Sequence, residues 1–259
     1  VAWHGLARPG SDMDELAQHL APNYRVICPD SIGRGLSQWS KRPEHEYCLA
    51  FYARIAALLF DQLGIGQAHW VGTSMGGLIG LGLASLDGAP VRKLVLNDVG
   101  PVIEFAALQR IGSYVGQSGF WRTLDEAADA LWALSQGFGP HSREQWLALT
   151  APQLKPATRD GVEGFTTRVD PGIAVPFRAI TPELAKAGEA MLWQAYDRLR
   201  CQTLLLRGAQ SDLLSADTAR AMTQRGPRAQ LHEFAGVGHA PTLVHDDQIE
   251  VLRRFLLSP

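Results

Sequence analysis

The chain has 259 residues, of which 46% are hydrophobic and 19% are charged, and its formal net charge is −2. This length suits one large α/β domain or a domain with a substantial insertion. The near-neutral charge excludes a general attraction to nucleic acid or anionic lipid, and the sequence has no run of about 18 apolar residues that could span a membrane.

Short apolar runs alternate with helical patterns along the chain. The candidate strands are 1–3, 25–28, 68–71, 91–97, 202–207 and 229–234. The candidate helices between them are 13–20, 49–63, 75–85, 215–224 and 247–256. This alternation predicts an α/β fold in which helices cover both faces of a mostly parallel sheet.

The alternation stops between residues 101 and 199. This stretch contains only helix-like segments, at 106–115, 124–134, 143–149 and 183–199. We interpret it as a helical cap, or lid, inserted into a core domain that comprises residues 1–100 and 200–259. We expect most of its aromatic side chains to form the cap's own small core. Four aromatic residues are candidate walls of a substrate pocket: Phe105, Trp121, Trp132 and Phe138.

The segment Gly72-Thr73-Ser74-Met75-Gly76-Gly77 joins a predicted strand to a predicted helix. A strand, a sharp turn with serine at its tip and a helix together predict the nucleophile elbow of a serine hydrolase. The flanking glycines fit this interpretation, because side chains there would collide with the strand or the helix. A phosphate-binding turn is the alternative, but the segment lacks the lysine of such loops.

An aspartate and a histidine follow later strands, in the order serine, aspartate, histidine. Asp212 follows strand 202–207, and His239 follows strand 229–234. The carboxyl ends of parallel strands are where sites form in open sheets. Histidine can accept the serine proton, and a carboxylate can orient the imidazole. We therefore predict a triad of Ser74, His239 and Asp212. Asp98 is the rival acid, but we expect it to anchor the hinge into the cap.

The chain resembles the α/β-hydrolase family, in the serine-nucleophile branch that carries a helical cap. The resemblance rests on the elbow, on the order of the three residues, on His4-Gly5 after the first strand, and on residues 30–37, which match D-x-x-G-x-G-x-S. It implies an oxyanion hole formed by the backbone N–H groups of Leu6 and Met75, with His4 in a structural role. In the family, two antiparallel strands precede the strand that leads to His-Gly, and they have no counterpart here. We therefore expect an unpaired sheet edge that favours a homodimer.

Serine at the nucleophile position excludes the relatives that use aspartate, namely haloalkane dehalogenases and epoxide hydrolases. We predict a carboxylesterase or lactonase that hydrolyses a small to medium, largely apolar acyl substrate through an acyl-enzyme. The alternatives are a C–C bond hydrolase acting on diketone-like substrates, a thioesterase, and a small-molecule receptor on the same fold. Arg8 and Arg34 lie on loops near the site and are candidates for pairing with a substrate carboxylate, although we expect them to face solvent.

The three cysteines, Cys28, Cys48 and Cys201, are odd in number and widely spaced. They predict neither a disulfide framework nor a zinc site. We expect no cofactor, no metal and no nucleic-acid partner. Because Val1 already begins a strand-like run, no signal peptide is predicted, and we expect a cytoplasmic location.

Overall fold

A five-stranded parallel sheet lies at the centre of the computed structural model, which describes residues 1–259. The strands of the whole chain are β1 (Ala2–Trp3), β2 (Ala68–Thr73), β3 (Val91–Asn97), β4 (Leu154–Arg159), β5 (Val162–Thr167), β6 (Gln202–Gly208) and β7 (Gln230–Phe234). The order in the central sheet is β1-β2-β3-β6-β7, and every neighbouring pair is parallel. The α/β fold predicted from the sequence is confirmed.

Ten α-helices pack around or beside this sheet. They are α1 (Asp14–Leu20), α2 (Pro43–Glu46), α3 (Leu49–Gln62), α4 (Met75–Ala84), α5 (Phe105–Tyr114), α6 (Leu124–Leu134), α7 (Arg143–Thr150), α8 (Pro182–Arg198), α9 (Ala216–Gln224) and α10 (Asp246–Leu257). None of them is long and apolar enough to cross a membrane.

The two faces of the sheet are buried in two separate apolar clusters. Leu94 and Leu96 of β3 belong to one cluster, whereas Val95 between them belongs to the other. Successive side chains of a strand point to opposite faces, so a strand covered on both sides is apolar throughout. The register pairs Thr73 with Asn97 and Asn97 with Leu206, which aligns the carboxyl ends of β2, β3 and β6.

The predicted strand at 25–28 is the one central strand that the structure does not form. This segment is irregular, and it is joined to β1 by a single hydrogen bond from the Ala2 N–H to the Ile27 carbonyl, at 2.9 Å. One backbone hydrogen bond does not make a ladder, so β1 pairs with β2 alone and stands at the edge of the sheet.

Residues 101–199 contain the four predicted helices, but the prediction that they contain helices alone is wrong. β4 and β5 form an antiparallel hairpin that spans Leu154–Thr167. Its turn is Asp160-Gly161, and both residues have positive φ, 52° and 77°. Asp-Gly between two extended runs is a typical sequence signal for a two-residue hairpin turn, so this element could have been recognised from the sequence.

Candidate functional site

Ser74 stands at the junction of β2 and α4 in a strained backbone conformation. Its φ is 52°, a value that few residues other than glycine adopt. The neighbouring glycines permit the turn, because a Cβ on Gly72 would lie 2.3 Å from the Gly76 carbonyl carbon. A Cβ on Gly76 would lie 2.3 Å from the Trp3 carbonyl oxygen. The predicted strand–turn–helix arrangement around Ser74 is therefore present.

A chain of hydrogen bonds connects Ser74, His239 and Asp98. The Ser74 Oγ lies 3.0 Å from the His239 Nε2, and the His239 Nδ1 lies 2.7 Å from the Asp98 Oδ2. The Nδ1–H donates to the carboxylate, which leaves Nε2 free to accept the serine proton. This is the geometry of an activated serine nucleophile.

Asp98 follows β3 directly and is completely buried. Its carboxylate accepts three hydrogen bonds: from the His239 ring, from the Gly208 N–H at 2.9 Å, and from the Ser211 hydroxyl at 2.6 Å. A buried carboxylate is costly unless its oxygens are hydrogen-bonded, and these donors meet that need. They also fix the orientation of the carboxylate toward the imidazole.

The prediction that Asp212 is the acid of the triad is contradicted by this geometry. The Asp212 side chain is about half exposed and accepts two hydrogen bonds from the Arg110 guanidinium, at 2.8 and 3.0 Å. Ser211, one residue earlier, is the residue of this loop that turns inward toward Asp98. The prediction that Asp98 serves only as a hinge anchor is wrong for the same reason.

The loop that carries His239 is fixed from two sides. The Asn97 side-chain amide, at the end of β3, donates to the Pro241 carbonyl at 2.8 Å. On the other side, the Gly238 N–H donates to the Gly137 carbonyl at 2.6 Å. Gly137 belongs to the turn that follows α6, so the 101–199 segment packs directly on the histidine loop.

The predicted oxyanion-hole residues border the nucleophile. The Leu6 N–H donates to no protein group, and the Met75 N–H is the first of α4, so it has no partner within that helix. Such free donors beside a serine suit an anionic oxygen. Leu6 also lines the same cavity as Ser74.

His4 supports this loop from beneath, as the sequence predicts. The ring is fully buried, its Nε2 accepts from the Ser31 N–H at 2.9 Å, and its Nδ1 lies 2.7 Å from the Gly5 carbonyl oxygen. Burial lowers the pKa of His4 to about 4, so the ring is neutral at pH 7. Its two nitrogens are both engaged in loop contacts, and neither bonds Ser74.

Arg34 is also buried beneath the site, which contradicts the expectation that it faces solvent. Its guanidinium donates to the carbonyl oxygens of Leu6 and Ile32, both at 2.7 Å, and its Nη2 lies 3.6 Å from the Met75 Sδ. The side chain is 0% exposed and does not line the cavity. Arg34 is thus a support for the loop and is not accessible to a substrate.

A cavity of about 210 Å³ opens at Ser74. Ser74 and His239 line it from the sheet edge, and Ile111, Leu131 and Phe138 line it from the 101–199 segment. A larger cavity of about 390 Å³ lies among Val1, Ile65, His69 and other residues, and it contains none of the Ser74, His239 and Asp98 side chains. The hydrogen-bonded Ser74 and His239 therefore face the smaller cavity.

Of the four predicted pocket aromatics, only Phe138 lines this cavity. Trp132 packs edge-to-face on Trp146, with ring centroids 4.9 Å apart, inside a small core of the 101–199 segment. Trp121 pairs through its backbone with Phe165 of the hairpin. Phe105, at the start of α5, also lies outside the lining. We expected most aromatic side chains of residues 101–199 to form a small core of that segment, and Trp132 and Trp146 do so.

Comparisons with known proteins identify the family of the chain. A family model described as "alpha/beta hydrolase fold" matches residues 1–246. The chain is 44% identical over 256 residues to a 3-hydroxybutyrate-oligomer hydrolase from Cupriavidus necator, covering 98% of this chain and 87% of that protein. It is 29% identical over 231 residues to a 2-hydroxymuconate semialdehyde hydrolase from a Pseudomonas species, covering 87% of this chain and 74% of that protein.

The fold has close counterparts among solved structures. A structure titled as an alpha/beta hydrolase from Novosphingobium aromaticivorans superposes with a TM-score of 0.86 at 35% identity, covering 98% of this chain and 87% of that one. A putative hydrolase from Rickettsia typhi gives the same TM-score at 30% identity, covering 98% and 84% of the two chains. The chain therefore belongs to the α/β hydrolase fold family and is a hydrolase of that family.

Proposed function

We propose that this protein is a serine hydrolase that cleaves esters through an acyl-enzyme. The observation that carries the proposal is the hydrogen-bonded chain from Ser74 through His239 to Asp98. The Ser74 Oγ attacks the ester carbonyl carbon while the His239 Nε2 takes the hydroxyl proton. Asp98 holds the imidazole in the required tautomer and stabilises the imidazolium that forms.

The developing oxyanion accepts hydrogen bonds from the backbone N–H groups of Leu6 and Met75. The tetrahedral intermediate collapses when the C–O bond to the alcohol breaks and the imidazolium donates its proton to the leaving oxygen. A water then attacks the acyl-serine with His239 as general base, which releases the acid and restores the serine. Removal of one donor from such a hole costs about 3 kcal/mol of transition-state stabilisation.

The substrate that we propose is a short oligomer of a hydroxy acid such as 3-hydroxybutyrate. The support is the 44% identity to the protein of that name over nearly the whole chain. The cavity beside Ser74 combines apolar residues such as Ile111 and Leu131 with polar residues such as Gln153 and Thr242. This lining suits a chain of alternating methyl-bearing carbons and ester groups.

Residues 101–199 act as a cap in this proposal. They supply one wall of the cavity and contact the histidine loop through the Gly137 carbonyl. A wall at this position limits the access of water, which strengthens the interaction of the oxyanion with its donors.

C–C bond hydrolysis is the second candidate function, and the similarity to the 2-hydroxymuconate semialdehyde hydrolase favours it. The same nucleophile and oxyanion donors would then act on a ketone in place of an ester. A lactonase, a thioesterase and a receptor on the same fold stay as further alternatives, because they share the same serine geometry.

The test is hydrolysis of the linear 3-hydroxybutyrate trimer, followed by chromatography of the released monomer and dimer. The purified protein should release monomer, and Ser74→Ala should lose activity by about 10⁴-fold or more while its circular dichroism is unchanged. Turnover of a diketone-type acid without turnover of any ester would favour the second candidate. A folded Ser74→Ala protein that keeps most of the activity would remove the mechanism.

A further inference from the structure

We propose that Arg8 binds the free carboxylate of the substrate, so that the enzyme prefers oligomers with an unesterified acid end over neutral esters of the same length. This inference rests on the proposed ester-hydrolase function and assigns a specificity residue to the same cavity.

Arg8 lines the cavity close to the nucleophile. Its Cγ and the Ser74 Cβ each lie 3.9 Å from the position that a Cβ on Gly5 would occupy, so both border the same small space. The side chain is 13% exposed, which leaves its guanidinium partly accessible from the cavity.

The contacts of Arg8 occupy only two of its three nitrogens. Nε and Nη2 donate to the Asp12 carboxylate, at 2.5 and 2.8 Å, and Nη2 also lies 3.3 Å from the Leu149 carbonyl oxygen. Nη1 donates to no protein group, and it is not among the buried polar atoms without a partner. Two N–H donors are therefore free and accessible.

The rest of the guanidinium is fixed in place. Its central carbon lies 5.6 Å from the centre of the Phe138 ring and 5.9 Å from that of Trp146. Together with the Asp12 pair, these contacts orient the free Nη1 edge before a ligand arrives. A preorganised donor loses little conformational entropy on binding.

The other two arginines near the site differ from Arg8 in how deeply they are buried. Arg34 is fully buried and uses its guanidinium on backbone carbonyls beneath the loop. Arg110 reaches the cavity, but it is 43% exposed and pairs with Asp212 on the outer side. Arg8 is therefore the less exposed of the two paired arginines that line the cavity.

A carboxylate is the ligand that matches these donors. The acid end of a hydroxy-acid oligomer is ionised at pH 7 and lies only a few bonds from the last ester carbonyl. A charge-assisted hydrogen bond from a guanidinium is shorter and stronger than one between neutral groups. Binding of the acid end would place the adjacent ester beside Ser74.

The experiment compares two substrates that differ only in charge: the linear 3-hydroxybutyrate dimer as the free acid, and the same dimer with its carboxyl group methylated. Cleavage of the internal ester is followed by mass spectrometry of the two halves. The wild-type protein should give a kcat/KM for the free acid about 10- to 100-fold above that for the methyl ester.

The variant is the double substitution Arg8→Met with Asp12→Asn, because Arg8→Met alone would leave an unpaired Asp12 that repels a carboxylate. The double variant keeps the net charge of the protein. It should lose the preference for the free acid, because its kcat/KM on the free acid should fall about 10-fold or more relative to its kcat/KM on the methyl ester.

Arg225→Met is the matched control. Arg225 also pairs with an aspartate, Asp197, and lies over an aromatic ring, Trp193, but it does not line the cavity. It should leave the preference intact. If the double variant loses kcat/KM equally on the free acid and on the methyl ester, the inference is overturned. It is also overturned if Arg110→Met loses the preference for the free acid while the double variant keeps it.

A measurement on the wild-type protein makes the inference independent of whether the variant folds. 3-Hydroxybutyrate should inhibit p-nitrophenyl butyrate hydrolysis at least about 10-fold more strongly than its neutral amide. Equal inhibition by the acid and the amide would contradict the role of Arg8 while leaving the esterase proposal standing. Absence of any ester hydrolysis by the wild-type protein would instead contradict the proposed function.

Discussion

At the scale of single residues, two aspartates on neighbouring loops have separate roles. Asp98 is buried and hydrogen-bonded to His239, whereas Asp212 is half exposed and pairs with Arg110 of α5. An exposed ion pair contributes little to stability, because water and salt screen it. The two carboxylates therefore offer a matched pair of substitutions.

Asp98→Asn should lower kcat by about 10⁴-fold, because the amide favours the wrong imidazole tautomer and gives no charge to the imidazolium. Asp212→Asn should change kcat by less than about threefold, because only a screened surface pair is lost. Steady-state kinetics on one ester substrate, with thermal unfolding of each variant, measure both effects. A larger loss in Asp212→Asn at equal stability would contradict the geometry.

Stability should fall as the pH decreases from 7.5 to 5. Burial lowers the pKa of His4 to about 4, whereas an unfolded histidine titrates near 6.5. Below pH 6.5 the unfolded state thus binds a proton that the folded state does not bind, which removes about 2 kcal/mol of stability by pH 5. His141 contributes in the same direction, because burial lowers its pKa as well.

Urea unfolding at pH 7.5 and pH 5 measures this difference. Burial raises the pKa of the Asp12 carboxyl, which acts in the opposite direction, so the measurement is repeated in the Arg8→Met, Asp12→Asn double variant, where that contribution is absent. An unchanged free energy of unfolding between the two pH values would argue against a neutral, buried His4.

The sequence predicted Ser74 and His239 but not the acid, and the reason is local. Asp98 and Asp212 both follow a strand at the same edge of the sheet, so the chain order allows either residue to reach His239. What decides between them is which side chain turns inward, and in the structure Ser211 holds the inward position of its loop. No residue pattern along the chain encodes that choice.

At the scale of elements, the elbow depends on contact between α4, β1 and β2. Gly72 and Gly76 allow backbone to approach backbone at distances that no Cβ would permit. This close packing sets the position of Ser74 relative to Leu6, because β1 leads directly into the His4-Gly5-Leu6 loop. The glycines of the motif are consequently needed for the fold as well as for the turn.

Gly76→Ala should destabilise the protein by more than about 3 kcal/mol, because the new methyl group would lie 2.3 Å from the Trp3 carbonyl oxygen. Gly82→Ala, on the same helix, is the control. Its new methyl group would meet only the Ala53 Cβ at 3.9 Å, and alanine favours a helix over glycine by up to about 1 kcal/mol. Equal stability of the two variants would contradict the packing described for the elbow.

Nine of the ten helices and the five central strands were predicted within about two residues, because their apolar periodicity reflects the burial that forms them. The short helix α2 (Pro43–Glu46), which buries no residue, was not predicted. Two elements were predicted wrongly. Residues 25–28 have the composition of a strand, but only one backbone hydrogen bond joins them to β1, so tertiary context decides what composition leaves open. The β4–β5 hairpin has only weak alternation of burial along its strands, although its Asp160-Gly161 turn is a sequence signal for a hairpin.

At the scale of the whole molecule, the cavity exists only where the 101–199 segment meets the sheet edge. The two parts contact each other through the Gly238–Gly137 backbone bond, the Arg8 contact with Leu149, and the Arg110–Asp212 pair. The sequence predicted this excursion from the break in alternation. Of the four aromatic residues predicted to line the cavity, only Phe138 does so, and Trp132 instead packs on Trp146.

An apolar wall beside the acyl group of the substrate should make a butyrate ester a better substrate than an acetate ester. Each buried methylene contributes about 0.8 kcal/mol, so kcat/KM for p-nitrophenyl butyrate should exceed that for the acetate by about 10-fold. The ratio is measured with both esters at the same pH and ionic strength. Acetate turned over as efficiently as butyrate would contradict the role of the cavity in binding the acyl chain.

The activated state of Ser74 is the central claim, and covalent labelling tests it most directly. The protein is treated with a fluorophosphonate, and the intact mass and the labelled peptide are determined by mass spectrometry. We expect a single phosphonyl adduct on the peptide that contains Ser74, formed far more slowly in Asp98→Asn and absent in Ser74→Ala. A folded protein that gains no adduct, or gains it on another residue, would contradict the assignment of Ser74, His239 and Asp98 as the catalytic triad.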